Sequence, residues 1–463
     1  MMSAILLIAI PLLAAFLSIL SKKIAPVLLL LVGAANIILL WFVPSGIVII
    51  GDFEMPFGIS LFLDSYARIA LYLVNGLFFI VTILNVVEYK KLSSILLVAL
   101  AALNGLLLTG DLFNLFVFLE VAGIAAYLIS TTNKKPLATF NYLVIGTVGS
   151  ILYLFGLMIL YGMFGTLNMM DMIHEIQTAS IAYSSLILPF FLMFMGLGIE
   201  AKLLPFNAWV KGILKHSNTL SGPMIASVYA AAISLMFGRL INNLFMFEGK
   251  LLLVVTVLLA LGVVLGEAMA FSSKKAREIL LFSSISQACI TVLLFVNGII
   301  IWAVYVVIAN ALSKLVLYLI INRATKETKS DDVNDLQGLF AKNIFVGIAF
   351  TVAALSVMGL PLFAGFVIKF NYLTQLAVAG QMAIVALILV ASLVEGIYFV
   401  KLLIKLWYSG EKEINVKFDL PYKAVFAVVT LMIILFGLYS APLDSLDNGI
   451  DTMQDEIGVI YNG

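Results

Sequence analysis

Residues 110–129 read GDLFNLFVFLEVAGIAAYLI, an apolar run with one glutamate, Glu120, near its centre. A stretch of this length spans ~30 Å of hydrocarbon as a helix. A charge at the middle of such a helix costs several kcal/mol and survives mostly where it has a task. Similar stretches recur in both directions, near 2–20, 25–43, 66–87, 92–109, 112–131, 137–162, 183–210, 221–239, 250–271, 278–296, 299–321, 343–378, 382–407 and 422–440. The expectation is an all-α polytopic membrane protein with about 14 transmembrane helices. Composition agrees: 63% of the 463 residues are hydrophobic and 11% charged, more apolar surface than one soluble core can hide.

Charge in the connections supplies an orientation. Lys22 and Lys23, Lys90 and Lys91, Lys134 and Lys135, Lys211 and Lys215, Lys274 to Arg277, Arg323 to Lys329, then Lys405, Lys412 and Lys417 fall in every second connection. The intervening loops are acidic or poor in Lys and Arg, with Asp52, Glu54, Asp111, Asp171, Glu175 and Glu248, and Arg239 and Lys250 as minor exceptions. The positive-inside rule then predicts a multi-pass protein of the cytoplasmic membrane with both termini outside, the acidic tail from Asp444 to Glu456 included. The apolar start, Met1–Leu20, has no basic leader and no small-residue cleavage site, so it reads as a retained first span.

The functional inventory is narrow. One cysteine, Cys289, and two histidines, His174 and His216, cannot build an iron–sulfur cluster, a bis-histidine haem or a structural zinc site from this chain alone. The reading is therefore no cofactor, no metal ligand and no catalytic residue. A net charge of +1 without a basic, aromatic-laced patch gives no signal for nucleic acid.

Two of the stretches, 183–210 and 343–378, carry internal prolines, Pro205 and Pro361, and the second is too long for one crossing. They are the seventh and twelfth spans and lie five apart. A unit with an odd number of helices inserts in opposite orientations when repeated, the inverted-repeat logic of secondary transporters, in which broken helices point to the ion site. The expected organisation is one membrane domain over 1–463: N-terminal helices 1–91, a first five-helix repeat 92–240, a second 250–408, and a last helix with the acidic tail, 422–463.

Five ionisable residues fall inside spans: Glu120, Lys202, Lys314, Lys369 and Glu395. Desolvation lowers a buried lysine's hold on its proton, and a nearby carboxylate restores it. Moving the carboxylate therefore switches the lysine between holding and releasing a proton. The bland readings are a packing ion pair for Glu120, capping of freed carbonyls for Lys202 and Lys369, and structural pairing of Glu395 with Lys401. Asp111 reads as a helix N-cap, Asp64 and Arg68 as interfacial, His216 as a loop residue, and His174 and Cys289 as incidental.

The order of motifs resembles the family of antiporter-like subunits shared by complex I, Mrp cation–proton antiporters and membrane-bound hydrogenases. The stretch at 110–129 is similar to the family's fifth-helix motif, with Glu120 at its glutamate. GIEAKLLPFNAWVKGILKHSNTLSGP (198–223) resembles the seventh helix and the loop after it, KKAREILLFSSISQACI (274–290) the entry to the tenth, IANALSKLVLYLI (308–320) the eleventh, and ALSVMGLPLFAGFVIKF (354–370) the second broken helix. The resemblance implies a first ion pair of Glu120 with Lys202, a connecting Lys314 and a last station at Lys369.

One departure stands out. The family's eighth-helix lysine falls here at Ala231, with only Ser227, Tyr229 and Ser234 nearby. Two functions follow. The first is a proton-translocating subunit, moving protons alone or sodium with them, within a complex of other membrane subunits that includes further antiporter-like ones. The second is a scaffold homologue without ion flux. Water between Lys202 and Lys314, lined by those hydroxyls, favours the first, and a dry gap packed with leucine and alanine favours the second.

Overall fold

The computed structural model describes residues 3–21, 23–51, 53, 58–178, 182–204, 207–245, 247–408, 414 and 416–438. Outside them lie Pro205, the loop charges Lys22, Asp52, Glu54 and Lys412, and the acidic tail. The helices are α1 (Leu6–Leu20), α2 (Ala25–Phe42), α3 (Ser65–Asn85), α4 (Ser93–Leu108), α5 (Leu112–Ser130), α6 (Pro136–Phe164), α7 (Met169–Thr178), α8 (Tyr183–Glu200) and α9 (Ala208–Leu214). Then follow α10 (Ser221–Asn243), α11 (Gly249–Ser272), α12 (Ala276–Val296), α13 (Ile300–Thr328), α14 (Ile344–Met358), α15 (Ala364–Val378), α16 (Met382–Trp407) and α17 (Leu420–Leu438).

Among the described residues twelve helices are long and apolar enough to cross a membrane, which makes the chain a mostly helical, multi-pass membrane protein. Two of the other expected spans coincide with α1 and α14, of 15 residues each. A helix that short rises only about 22 Å, less than the ~30 Å of hydrocarbon.

The all-α expectation needs a correction. Gly46–Ile50 and Ile59–Leu63 pair as an antiparallel hairpin, β1 and β2, with Gly46 opposite Leu63 and Ile50 opposite Ile59. Five-residue runs rich in Ile, Val and Phe are too short to cross a membrane, and between α2 and α3 they satisfy their backbone groups by pairing with each other. The short helix α7 likewise replaces an expected loop.

The arrangement of polar residues locates the interior. Within the apolar windows of α10, α12 and α13, 94%, 89% and 89% of residues are buried, against 22% in α17. These three helices form the centre, packed on one another, with α11 and α16 against the α12 side. They carry Ser227, Ser283, Ser284, Gln287, Ser313 and Lys314, all buried. Peripheral helices show lipid large apolar side chains such as Leu253, Val257 and Leu393. The polar groups thus face inward, where partners substitute for water.

Caps fix the helix starts. Asp111 opens α5 and accepts a hydrogen bond from the Asn114 amide (2.6 Å), as its position in the sequence suggests. Asp64 caps α3 through Ala67 (2.7 Å). Asp64 is not interfacial, however: it is buried in an ion pair with Arg239 of α10, whose guanidinium also donates to the Leu107 carbonyl (3.1 Å) and lies over Phe62 and Tyr66.

Candidate functional site

The helix α8 ends at Glu200, and its last turn closes by two backbone bonds, Leu203 N to Gly198 O (2.8 Å) and Lys202 N to Ile199 O (3.2 Å). That is a Schellman cap, and the left-handed residue it requires is Lys202, at φ 64°. A non-glycine residue there costs roughly 1–2 kcal/mol. Trp209 of α9 donates its indole N–H to the Ile199 carbonyl (3.0 Å), serving another group freed by the helix end. Its ring stacks on Tyr142 at 3.9 Å, which in turn meets Tyr127 edge-on at 4.5 Å.

Lys202 is buried and its Nζ lies 3.4 Å from the Ile225 carbonyl of α10. Ile225 belongs to Met224–Tyr229, where α10 widens into a π turn, a geometry frequent at functional sites because it releases carbonyls to outside partners. Beyond Lys202 opens a cavity of about 40 Å³, lined on its polar side by Ser227, Ser234, Ser284, Gln287, Thr291 and Asn310 and ending at Lys314. One water needs on the order of 10–15 Å³ and two or more polar partners, so two or three fit.

At the far side the side chains touch directly. Lys314 donates to the Ser283 hydroxyl (2.7 Å), and that hydroxyl lies 3.4 Å from Glu395 Oε1. Gln287 donates its amide to both Glu395 oxygens (2.9 and 3.1 Å) and accepts from Asn310 (3.3 Å). Lys369 forms an ion pair with Glu395 (3.5 Å) and donates to Ser392 (3.0 Å) and to the Met358 and Val357 carbonyls at the end of α14. A second cavity, of about 20 Å³, joins Gln287, Asn310 and Ser313 to Lys369. Gln287 and Asn310 line both cavities.

Residues 109–394 match the model of the NADH:quinone oxidoreductase/Mrp antiporter transmembrane family, more than half of the chain. The chain belongs to that family. A Desulforudis audaxviator protein named as a subunit of NADH-quinone oxidoreductase is 29% identical over 345 residues, 72% of this chain and 68% of that one. An Alkalihalophilus pseudofirmus protein named as a subunit of a Na(+)/H(+) antiporter is 27% identical over 414 residues, 85% of this chain and 83% of its own length. A chain of the membrane-bound sulfane sulfur reductase, an archaeal respiratory membrane complex, superposes with a TM-score of 0.90 at 24% identity, covering 98% of this chain and 99% of that one. That likeness shows the fold.

Of the five mid-span charges, this NADH:quinone oxidoreductase/Mrp antiporter family member links Lys314, Lys369 and Glu395 through hydrogen bonds and an ion pair, and sets Lys202 on the wall of a cavity that Lys314 also lines. Glu120 stands apart. It is half-buried on α5 and makes no ion pair with Lys202, because the left-handed turn at Lys202 sends that side chain toward α10 instead. Glu395 pairs with Lys369 rather than Lys401, whose ammonium sits 4.4 Å from the Phe271 ring centre. Pro361 lies exposed between α14 and α15, while Pro205 is outside the described residues.

Two buried carboxylates escaped the sequence reading. Glu200, the last residue of α8, lies with the Tyr127 hydroxyl against Gly146, where an added methyl would meet its Oε1 at 3.0 Å. Glu267 of α11 is the other. Glu267 falls near the end of its expected span, where a charge reads as interfacial, whereas Glu200 falls inside the expected span 183–210, beside Lys202, and was passed over.

Proposed function

We propose that this chain is a proton-translocating, antiporter-like subunit of a larger membrane complex, driven by other membrane subunits that include further antiporter-like ones. Protons step among Glu120, Lys202, Lys314, Lys369 and Glu395, and the chain itself is not catalytic. One observation carries the reading. The space beside Ala231, where a lysine is missing, is a cavity walled by Ser227 and Ser234 together with several alanines, with Lys202 and Lys314 both on its lining and Tyr229 outside it. Water there carries protons where the side chain does not.

The chemistry follows from burial. Among the described residues Lys202 has no carboxylate partner and meets the Ile225 carbonyl, whereas Lys369 is paired with Glu395. If Lys369 leaves Glu395, the carboxylate remains tied to Gln287 and, through Ser283, to Lys314. Lys314 then gains proton affinity as Lys369 loses it. Such an exchange, repeated along the line, moves charge across the bundle.

In the same reading the chain has 14 spans with both termini outside the cytoplasmic membrane. Residues 92–240 and 250–408 form two five-helix units inserted in opposite orientations. The pairs α8–α9 and α14–α15 are their interrupted seventh and twelfth spans.

The test is proton translocation by the whole parent complex in vesicles, wild type against Lys202→Ala, with assembly verified in both. Loss of flux from an intact complex supports the path. Unchanged flux makes this subunit a scaffold whose protons cross elsewhere.

A further inference from the structure

Glu267 of α11 is buried at 3% exposure, and neither carboxylate oxygen has a hydrogen-bond partner among the described residues. The hydroxyls of Ser286 on α12 and Tyr398 on α16 are buried and unpartnered as well. Both lie within electrostatic reach of the Glu267 carboxylate, although neither meets hydrogen-bond geometry with it. Three polar side chains from three helices thus converge on one point with their bonds unmade. Such groups are rare in a folded protein, and each asks for a reason. The other groups facing Glu267 are Glu395 on α16 and Lys314 on α13. Lys314 is already engaged by Ser283, and Glu395 by Gln287 and Lys369.

An ionised carboxylate buried without donors, near a second carboxylate, is strongly disfavoured and neutralises instead. Tyr398 also connects the two acids. It sits one helical turn beyond Glu395, and its hydroxyl lies within reach of Glu267 and of Ser283, the hydroxyl that bridges Lys314 and Glu395.

We propose that Glu267 is a further proton-binding site, a side station that exchanges its proton with Glu395 through the hydroxyls of Tyr398 and Ser283. The exchange rests on the translocation reading above. In one step Glu267 gives its proton to the Tyr398 oxygen while Tyr398 passes its own to Ser283, and Ser283 passes its own to Glu395. Both hydroxyls end as they began. One proton has moved from one carboxyl to the other, and one negative charge has moved the opposite way. A protonated Glu395 releases Lys369, so occupancy of Glu267 sets when the Lys369 ion pair opens.

The experiment is infrared difference spectroscopy of the assembled complex in vesicles as pH is raised, followed by proton flux on the same vesicles. Wild type is expected to lose a carboxylic C=O band that the Glu267→Gln complex lacks throughout. Glu267→Asp, which keeps the acid but shortens its reach, is expected to shift that band. Identical spectra for wild type and both variants would overturn the site. In flux, Glu267→Gln and Tyr398→Phe are each expected to slow transport several-fold, with Tyr398→Phe keeping the band. Full flux in both variants, with Lys202→Ala abolishing it, would overturn the exchange. Full flux in Lys202→Ala as well would remove the translocation reading and the exchange with it. The band would still decide whether Glu267 binds a proton.

Discussion

At Glu200 and at Met358 two helices end by the same pair of backbone bonds. Leu203 and Lys202 reach back to Gly198 and Ile199 at the first, and Leu360 and Gly359 reach back to Leu355 and Ser356 at the second (3.1 and 3.0 Å). The left-handed residue differs. The second end uses Gly359, at φ 78°, without steric cost. The first uses Lys202, and so carries its lysine on the strained residue itself. At the second end the lysine arrives from the next helix: Lys369 folds back over Gly359, caps two freed carbonyls and meets Glu395. One device therefore yields two electrostatic outcomes. The lysine at the first end has only a carbonyl for company, and the lysine at the second is neutralised and locked.

The comparison breaks most visibly at Lys369. Replacing it with alanine leaves a buried carboxylate without its counter-ion and two carbonyls uncapped, a loss of about 3 kcal/mol. The apparent melting temperature of the detergent-solubilised complex should fall accordingly. A Lys369→Ala complex as stable as wild type would show that Gln287 alone sustains Glu395.

Gly359→Ala comes next. It imposes the left-handed penalty of roughly 1–2 kcal/mol. Its methyl would also meet Lys369 Cδ at 2.9 Å, pushing the ammonium off the Met358 carbonyl. Flux and stability should both drop. At the first end the matching change has the opposite sign for stability: Lys202→Gly removes strain and a desolvated amine, offset by the added freedom of glycine in the unfolded chain. The net gain should be up to about 1 kcal/mol, while flux is lost as in Lys202→Ala. A Lys202→Gly complex less stable than Lys202→Ala would show that the left-handed turn is not strained.

The smallest effect belongs to Lys215, in the loop after α9, where it bonds Glu278 at 2.8 Å with its side chain 30% exposed. That hydrogen bond raises the lysine above its ordinary value of 10.5, with burial opposing slightly. A raised group stabilises fully below its unfolded value and loses the contribution as pH climbs through the folded one. Lys215→Ala should therefore cost less than about 1 kcal/mol, at a solvent-screened site. The difference from wild type should be constant at neutral pH and close above pH 10.5. A difference that already closes near neutral pH would assign the effect to another group.

Most of the span pattern was legible because an apolar run of some twenty residues has few other uses, and a lone charge within it is conspicuous. Glu120, Lys202, Lys314, Lys369 and Glu395 surfaced for that reason. What stayed hidden depended on partners distant in sequence. Asp64 and Arg239 each sit near a helix end and looked interfacial, yet they bury one another across 175 residues. Glu267 was missed on the same ground. The turn at Lys202 was announced by Pro205, but not which residue would take the left-handed conformation, and the expected pairing with Glu120 failed on that detail. Gln287 lies in the Ser-Ile-Ser-Gln stretch in the middle of α12, but only packing could reveal that it contacts Glu395, Asn310 and both cavities.

The wide turn at Met224–Tyr229 can also be seen as one residue more than the length of α10 requires. In a regular helix one added residue would turn everything after it by about 100° around the axis; the wide turn absorbs that rotation and leaves carbonyls free for outside partners. The wide turn itself presents Ile225 to Lys202, and the half of α10 after it presents Ser234 to the cavity and Arg239 to Asp64. Deleting Val228 would return the helix to regular winding while keeping Ile225, Ser227, Ser234 and Arg239. The Ile225 carbonyl would then be drawn back into the regular ladder and away from Lys202, so the number of residues in this stretch matters as much as their identity.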